Sequence, residues 1–422
     1  MLSKLNLLES TLKFFTSASA LSLTLAVSLP AMAAKTPSME EMWTMIQAQQ
    51  KVLEAQKQEI SRLKNTSQTN EEKIEATTVA LEESDKSYGK AKEWFNKTTI
   101  GGYGELHYNN LDNKKDGGND KKEIDLHRFV LFFGHEFNDD LRFFSEFEIE
   151  HDIAGDGKNG EVEVEQAYVE YDFNENHSGK AGVFLMPFGI INETHEPPAF
   201  YGTERNSVEK NIIPSTWWEG GLGVSSHFEN GFSTDVTLTS GLYLTENKDF
   251  KIRNGRQKVS KAKADSGALA GRVKYTGMQG LELSLSGYYQ DDYNQGETRS
   301  SDSLTGFETH AIYSMNDFTV KALYASWDLD GDEANNIGAD TQKGWYIEPS
   351  YKFSEKWGVF ARYNQWDNAA GNSNDSEYKQ TDFGVNYWLD EDVVLKADYQ
   401  DQDSPKGKDE FDGFNLGVGY QF

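Results

Sequence analysis

The densest group of residues able to do chemistry lies between Met186 and Trp218, where His195, Glu196, Tyr201, Glu204, Arg205, Glu209 and Lys210 stand among four of the chain's eight prolines. An adjacent imidazole and carboxylate, such as His195 and Glu196, could move a proton. Catalysis needs more: a nucleophile with a base in reach, a pair of metal-binding histidines at helical spacing, or a glycine loop that cradles phosphate. None of these patterns occurs in the chain. Asp328-Leu329-Asp330-Gly331-Asp332-Glu333 opens like a calcium loop but lacks the rest of the twelve-residue pattern. Asp152, Asp156 and Glu161, near Gly155 and Gly157, read in the same way as a solvated acidic loop. No enzymatic activity, no cofactor and no metal site are therefore expected. The other chemistry open to such a segment is filtration. Roughly 25 residues without periodic structure are out of place in a compact domain unless they serve a function. Folded into a hollow structure they narrow it, and their charges act hardest where water is scarce. Pro197 and Pro198, by fixing φ, stiffen the segment.

A hollow element must hold such a segment, and the composition favours one. Over 422 residues the mean hydropathy is -0.69, yet 13% of residues are aromatic. A membrane β-barrel combines these traits, because half of each strand faces water while aromatic girdles mark the interfaces. After the first 34 residues there is no run of 18 or more apolar residues, so no transmembrane helix competes. The N-terminus reads as an export leader, with Lys4 and Lys13 ahead of an apolar stretch from Ala18 to Leu29 and a small-residue site at Ala31-Met32-Ala33. The predicted signal peptide is 1–34. The formal charge is -28; removing Lys4, Lys13 and Glu9 takes away +1, leaving -29 in the mature chain. Such acidity argues against nucleic acid. With no cysteine, disulfides, thiolate metal sites and a lipidated N-terminal cysteine are excluded.

Two regions with different periods follow. With Met42 at heptad position a, the d positions are Ile46, Leu53, Ile60, Ser67, Ile74 and Leu81, and Lys, Glu and Gln crowd the remainder. This predicts a coiled coil in a segment 35–95, with polar a positions setting register and favouring a trimer. From Ile100 the period becomes two. Sixteen strands of about ten residues centre on Gly104, Val130, Phe147, Tyr168, Val183, Val224, Leu238, Val273, Leu285, Ala311, Leu323, Ile347, Ala361, Val385, Ala397 and Val418, the spacing of membrane strands. The fold class expected is an all-β, sixteen-stranded antiparallel barrel over 98–422, preceded by a periplasmic helical coiled coil. Tight connections such as Asn138-Asp139-Asp140 and Asp390-Glu391-Asp392 alternate with long ones such as 248–263 and 328–342, an asymmetry of outer-membrane barrels. The last residues, Phe414 to Phe422, put an apolar side chain at every second position and end on an aromatic. They should close the barrel against the strand at Gly104 and present the signal read by the barrel-assembly machinery. Strands with broken alternation, Val162 to Phe173 among them, keep an open facing.

Met186-Pro187-Phe188-Gly189, the segment Asn192 to Arg205 and Asn211-Ile212-Ile213-Pro214 resemble the phosphate-selective porin O and P family, and the resemblance covers about Ile100 to Phe422. It implies a homotrimeric outer-membrane porin of sixteen strands with the third long connection, here about 190–215 and after strands five and six, folded into each pore. Alternation turns Arg142, Lys180, Arg272, Lys274, Lys321, Arg362 and Lys396 inward as pore lining. It also turns in Glu146, Glu148, Glu170, Asp235, Glu282, Glu348, Asp382 and Asp398, so the pore should be mixed or weakly cation-preferring, not a phosphate channel. The function expected is passive diffusion of small hydrophilic solutes or ions. The partners expected are outer-membrane lipid and lipopolysaccharide, the assembly machinery and peptidoglycan. A barrel that serves only to anchor a cell-wall tether is the alternative.

Overall fold

The computed structural model describes residues 38–153, 155, 157, 160–297 and 302–422. The expected leader and Asp156 lie outside the described residues. The chain divides into two units, one reaching Tyr88 and the other Gly89–Phe422.

Helix α1 (Met39–Asn96) supplies the first unit. Its start is set by a reciprocal cap: the Ser38 amide donates to Glu41 Oε2 at 2.9 Å and the Glu41 amide to Ser38 Oγ at 3.3 Å. Ile46, Leu53, Ile60, Ile74 and Leu81 are 45–66% exposed, so the apolar seam of the helix has no cover within its own chain. No helix among the described residues is long and apolar enough to cross a membrane.

The second unit is a closed antiparallel barrel of sixteen strands, β1 (Thr98–Asn113), β2 (Lys121–Glu136), β3 (Leu141–Glu150), β4 (Val162–Asn174), β5 (His177–Leu185), β6 (Trp218–His227), β7 (Phe232–Thr239), β8 (Ala268–Met278), β9 (Leu281–Gln290), β10 (Leu304–Met315), β11 (Phe318–Leu329), β12 (Thr341–Lys352), β13 (Trp357–Asp367), β14 (Glu377–Asp390), β15 (Val393–Asp403) and β16 (Phe411–Gln421). Each expected strand centre falls within one of them. Every neighbour in sequence is a neighbour in the sheet, and β16 closes on β1 with Gly104 opposite Tyr420. Beyond the last strand, Phe422 exchanges both backbone hydrogen bonds with Gly102 at 2.9 Å. Closure leaves no strand edge unpaired, a condition for a sheet that faces lipid. On β16 the side chains of Phe414, Leu416 and Val418 are exposed on the outside while Asn415, Gly417 and Gly419 are buried within.

Five strand pairs carry a register shift; three lie beside the tight turns, and two fall within the strands and interrupt the alternation. Between β3 and β4 the register passes from Glu146 opposite Gln166 to Phe147 opposite Val164, so Glu165 is the extra residue. This explains the broken pattern of Val162 to Phe173: Val162 and Val164 face out before the bulge, and Val169, Tyr171 and Phe173 after it. Between β1 and β2, Glu105 pairs with Arg128 and Leu106 with Leu126, which makes His127 the extra residue. Bulges re-aim a side chain without ending the ladder.

The inner wall is not uniformly polar. Trp327, Ala325 and Leu323 on β11, Tyr288 on β9, Tyr346 on β12 and Trp366 on β13 join Met186, Phe188, Ile212, Ile213 and Trp217 in a buried apolar core. Leu242, Leu244, Phe250 and Ile252, from the connection between β7 and β8, complete it. Part of the lumen is thus filled as a soluble core would be, and water-lined space is left on the β1–β4 side.

Candidate pore constriction

The connection that narrows the lumen runs from Met186 to Trp217, at the residues expected but between β5 and β6 and not after both of them, because the sixth strand begins only at Trp218. Its base is closed by Asn192, whose Nδ2 donates to the carbonyls of Met186 (2.8 Å) and Trp217 (3.0 Å) while Oδ1 accepts from the Trp217 amide (2.6 Å). Gly189 adopts φ +83 beside Glu209, and a Cβ there would stand 2.5 Å from the carboxylate. That close approach, with the left-handed backbone, accounts for glycine at the end of Met186-Pro187-Phe188-Gly189.

Glu209 lies inside the loop, not on the pore wall. Its Oε1 accepts from the amides of Ile190 (2.6 Å) and Ile191 (2.7 Å), and its Oε2 from Asn206 Nδ2 (2.8 Å) and Tyr346 Oη (3.0 Å). Burial raises its carboxyl pKa against the pull of these donors. His195 is also turned away from water at 2% exposure, with Nδ1 3.0 Å from the Asn192 carbonyl and Nε2 3.2 Å from Glu146. Tyr201 packs its ring on Phe360 and edge-on to Trp388. Glu196 is half-buried ahead of the Pro197–Ala199 turn.

Three of the expected constriction residues do converge on water. Glu204, Arg205 and Lys210 line a charged cavity of about 290 Å³ together with Glu105, Asp125, His127 and Arg128 of the wall. Arg205 leaves Nε and Nη2 without a hydrogen-bond partner.

The inward basic residues divide by depth. Arg272 pairs with Asp235 (2.7 Å) and with Glu193 of the loop. Arg362 donates to Glu348 (2.7 Å) and to the Tyr201 carbonyl (2.6 Å), and Lys396 sits 3.5 Å above the Phe200 ring. These three are loop anchors. A segment crossing the lumen covers the wall residues at its own level, which then serve to hold it. Arg142 bridges Glu170 (3.0 Å) and Asp172 (2.6 Å), Lys180 lies 4.6 Å from the Phe184 ring, and Lys274 and Lys321 are half-buried on the inner face.

Sequence reasoning missed a second inward segment, the β7–β8 connection. Arg253 Nη1 donates to the carbonyls of Lys210 and Ser215, both at 3.0 Å, and Arg256 binds the Thr216 carbonyl. Lys258 reaches Glu161 (2.6 Å) and Glu163 (2.5 Å) across the cavity. Burial, with Arg256 and Arg205 nearby, pushes Arg253 down to about 9, which leaves it charged at neutral pH. A signal was available: 248–263 carries Lys248, Lys251, Arg253, Arg256, Lys258, Lys261 and Lys263 in a strongly acidic chain. Loop arginines Arg205, Arg253 and Arg256 thus meet Glu105, Glu150, Glu161 and Glu163 around the cavity, and Arg128 of the wall is itself paired with Glu105 at 2.7 Å.

A family model for Gram-negative porins matches residues 76–408. An uncharacterised protein of Aquifex aeolicus (strain VF5) is 30% identical over 352 residues, covering 74% of this chain and 77% of that protein. Among solved structures, an anion-selective porin from Comamonas acidovorans superimposes with TM-score 0.57 at 13% identity, over 77% of this chain and 99% of that one. The trimer form of OmpT, an outer-membrane protein of Vibrio cholerae, gives TM-score 0.50 at 13% identity, over 77% of this chain and all (100%) of the other.

Proposed function

The chain belongs to the Gram-negative porin family, and on that premise we propose a homotrimeric general porin of mixed ion preference, filtered by the 186–217 loop and the arginines of the β7–β8 connection. The protein is a multi-pass outer-membrane channel through which solutes diffuse passively, and it is not an enzyme. Met186-Pro187-Phe188-Gly189, Asn192 to Arg205 and Asn211-Ile212-Ile213-Pro214 favour the branch of the phosphate-selective porins O and P. Phosphate selection itself is not part of the proposal. The observation that carries the mixed preference is the lining of one cavity by acidic residues, Glu105, Glu150 and Glu163 among them, and basic ones, Arg205, Arg253 and Arg256 among them, in similar number. A lining of balanced charge gives neither sign of ion a strong advantage.

The trimer draws its support from helix α1. A seam of Ile and Leu exposed along a 58-residue helix needs partners to bury it, and three copies satisfy the polar a positions. Short turns on the periplasmic side would have β1 begin there, which supports a periplasmic α1 and peptidoglycan as its partner. The outer apolar belt would meet lipid, the outer loops lipopolysaccharide, and the final strand the barrel-assembly machinery.

A reversal potential across a potassium chloride gradient tests the ion preference. The expected cation-to-anion ratio lies within about threefold of unity, because opposing charges of similar number offset each other. Strong anion preference overturns the reading.

A further inference from the structure

Three of the chain's eight histidines meet at the charged cavity, although they stand far apart in sequence and no metal site was expected there. His107 lies on the inner side of β1, and His127 is thrown inward as the extra residue of the β1–β2 bulge. Their rings stack at 4.5 Å between centroids and 14° between planes. Glu204 descends from the loop, with Oε1 3.3 Å from His107 Nδ1. The candidate ligand atoms of His107, His127 and Glu204 all lie within 4.8 Å of one another. Ligands about 2.1 Å from one tetrahedral ion stand roughly 3.4 Å apart, a spacing His107 Nδ1 and Glu204 Oε1 already have at 3.3 Å, and a turn of the stacked His127 ring brings its nitrogen to the same ion.

A second feature points to a ligand. His107 is 3% exposed, and its Nδ1 has no hydrogen-bond partner. On the far side of the ring, Nε2 lies 3.1 Å from Glu105, and Glu105 is itself held by Arg128 at 2.7 Å. A carboxylate behind an imidazole takes the ring proton and leaves the other nitrogen with a free lone pair. At His107 that lone pair faces the Glu204 carboxylate. Two acceptors facing each other in a buried site call for a cation between them.

We propose that His107, His127 and Glu204 form a binding station for a borderline divalent transition-metal ion of the Zn²⁺ class, placed beside the permeation path of the porin. Two imidazoles and one carboxylate suit such ions, whereas Mg²⁺ and Ca²⁺ prefer an all-oxygen set. His127 also belongs to a second group with Asp125 and His151, whose ligand atoms again lie within 4.8 Å. Asp125 Oδ2 stands 3.2 Å from His127 Nδ1 and 2.8 Å from His151 Nδ1. A shared ligand makes the two groups one station with two positions. A divalent ion held there repels cations entering the cavity and reduces the current they carry.

The test uses the full-length protein, folded in detergent and stripped of metal. Equilibrium dialysis against Zn²⁺ should find one ion per chain, and His127→Gln should weaken binding by more than about tenfold, since a lost ligand costs at least what a lost supporting contact does. His177→Gln, away from the cavity, should leave binding unchanged. Should His127→Gln fail to fold, as judged by the heat-dependent shift of the barrel on a gel, Glu204→Gln in the loop takes its place. In planar bilayers Zn²⁺ should lower wild-type conductance reversibly, with chelator restoring it, while the same concentration of Mg²⁺ does not. Absence of Zn²⁺ binding to wild type means that a proton is the cation between His107 and Glu204, and this overturns the proposal. Binding that survives both cavity variants overturns it too. Dialysis does not depend on conduction, so a closed channel that still binds Zn²⁺ would refute the porin reading and leave the station standing.

Discussion

Glu209 offers the sharpest test of how the loop is held. Replacing it by alanine removes one acceptor pair and strands four donors: the Ile190 and Ile191 amides, Asn206 Nδ2 and Tyr346 Oη. The carboxylate has no exposed surface, so water cannot substitute unless the loop moves. At about 1 kcal/mol for each donor after partial relaxation, the loss comes to about 4 kcal/mol. That raises the undocked population of the loop by roughly three orders of magnitude. Glu209→Gln should be much milder. Its Oε1 still serves the two amides and the Tyr346 hydroxyl can turn to accept, so only the Asn206 amide meets another donor, at about 1–2 kcal/mol. Part of even that is offset, because burial already disfavours the charge that glutamine lacks. Single-channel recording should give Glu209→Ala a larger mean conductance with a broad distribution, Glu209→Gln a distribution close to wild type, and both should retain the folded barrel on a gel. A folded Glu209→Ala channel as narrow and uniform as wild type would show that the apolar core of Phe188, Ile212, Trp217 and Trp327 holds the loop unaided, and the reasoning would fail.

Other consequences are simpler to state. Arg205→Gln removes a cation whose Nε and Nη2 are unpaired. A unit charge about 5 Å from a passing ion in water is worth about 0.8 kcal/mol. Because the charge acts with opposite sign on cation and anion, about fourfold on each, the permeability ratio should move toward cations by roughly sixteenfold, and an unmoved potential would remove Arg205 from the path. Deleting Phe422 takes away two backbone hydrogen bonds to Gly102 at the closing seam. Quantified by outer-membrane fractionation, less folded barrel should accumulate, while surviving channels keep wild-type conductance; an altered conductance would place the residue in conduction. Deleting Met42 to Leu81 should shift detergent-extracted protein from trimer to monomer in sedimentation, and trimers that persist unchanged would end the assembly role of the helix.

What the sequence made legible was whatever a local period writes down. Each strand centre could be read because lipid on one side and water on the other enforce an alternation that survives strand by strand, as Phe414, Leu416 and Val418 against Asn415, Gly417 and Gly419 illustrate. Where one residue is inserted, the alternation reverses and the reading stalls. Glu165 and His127, the bulge residues, are those cases, and both project into the lumen. A break in parity within an otherwise regular strand was itself the signal, since bulges gather where a side chain must be re-aimed.

The loop resisted reading for a different reason. Charged residues in an aperiodic stretch can face water or hold the stretch together, and only tertiary contacts decide. Glu209 and Arg205 stand four positions apart with equal claims on the pore; one accepts four hydrogen bonds from its own loop and from β12, while the other lines the cavity. The same division governs the wall. Arg362 and Lys396 alternate inward as correctly as Lys274 and Lys321, yet the loop lies over the first pair, so their charge acts on Tyr201 and Phe200 and not on a solute. Lumen charge counted from alternation therefore overstates what an ion meets. The charges that count are those the loop leaves uncovered, and at the cavity these include arginines from a β7–β8 connection that no strand alternation could have assigned. A selectivity argument for such a barrel has to begin from the docked loop and work outward to the wall.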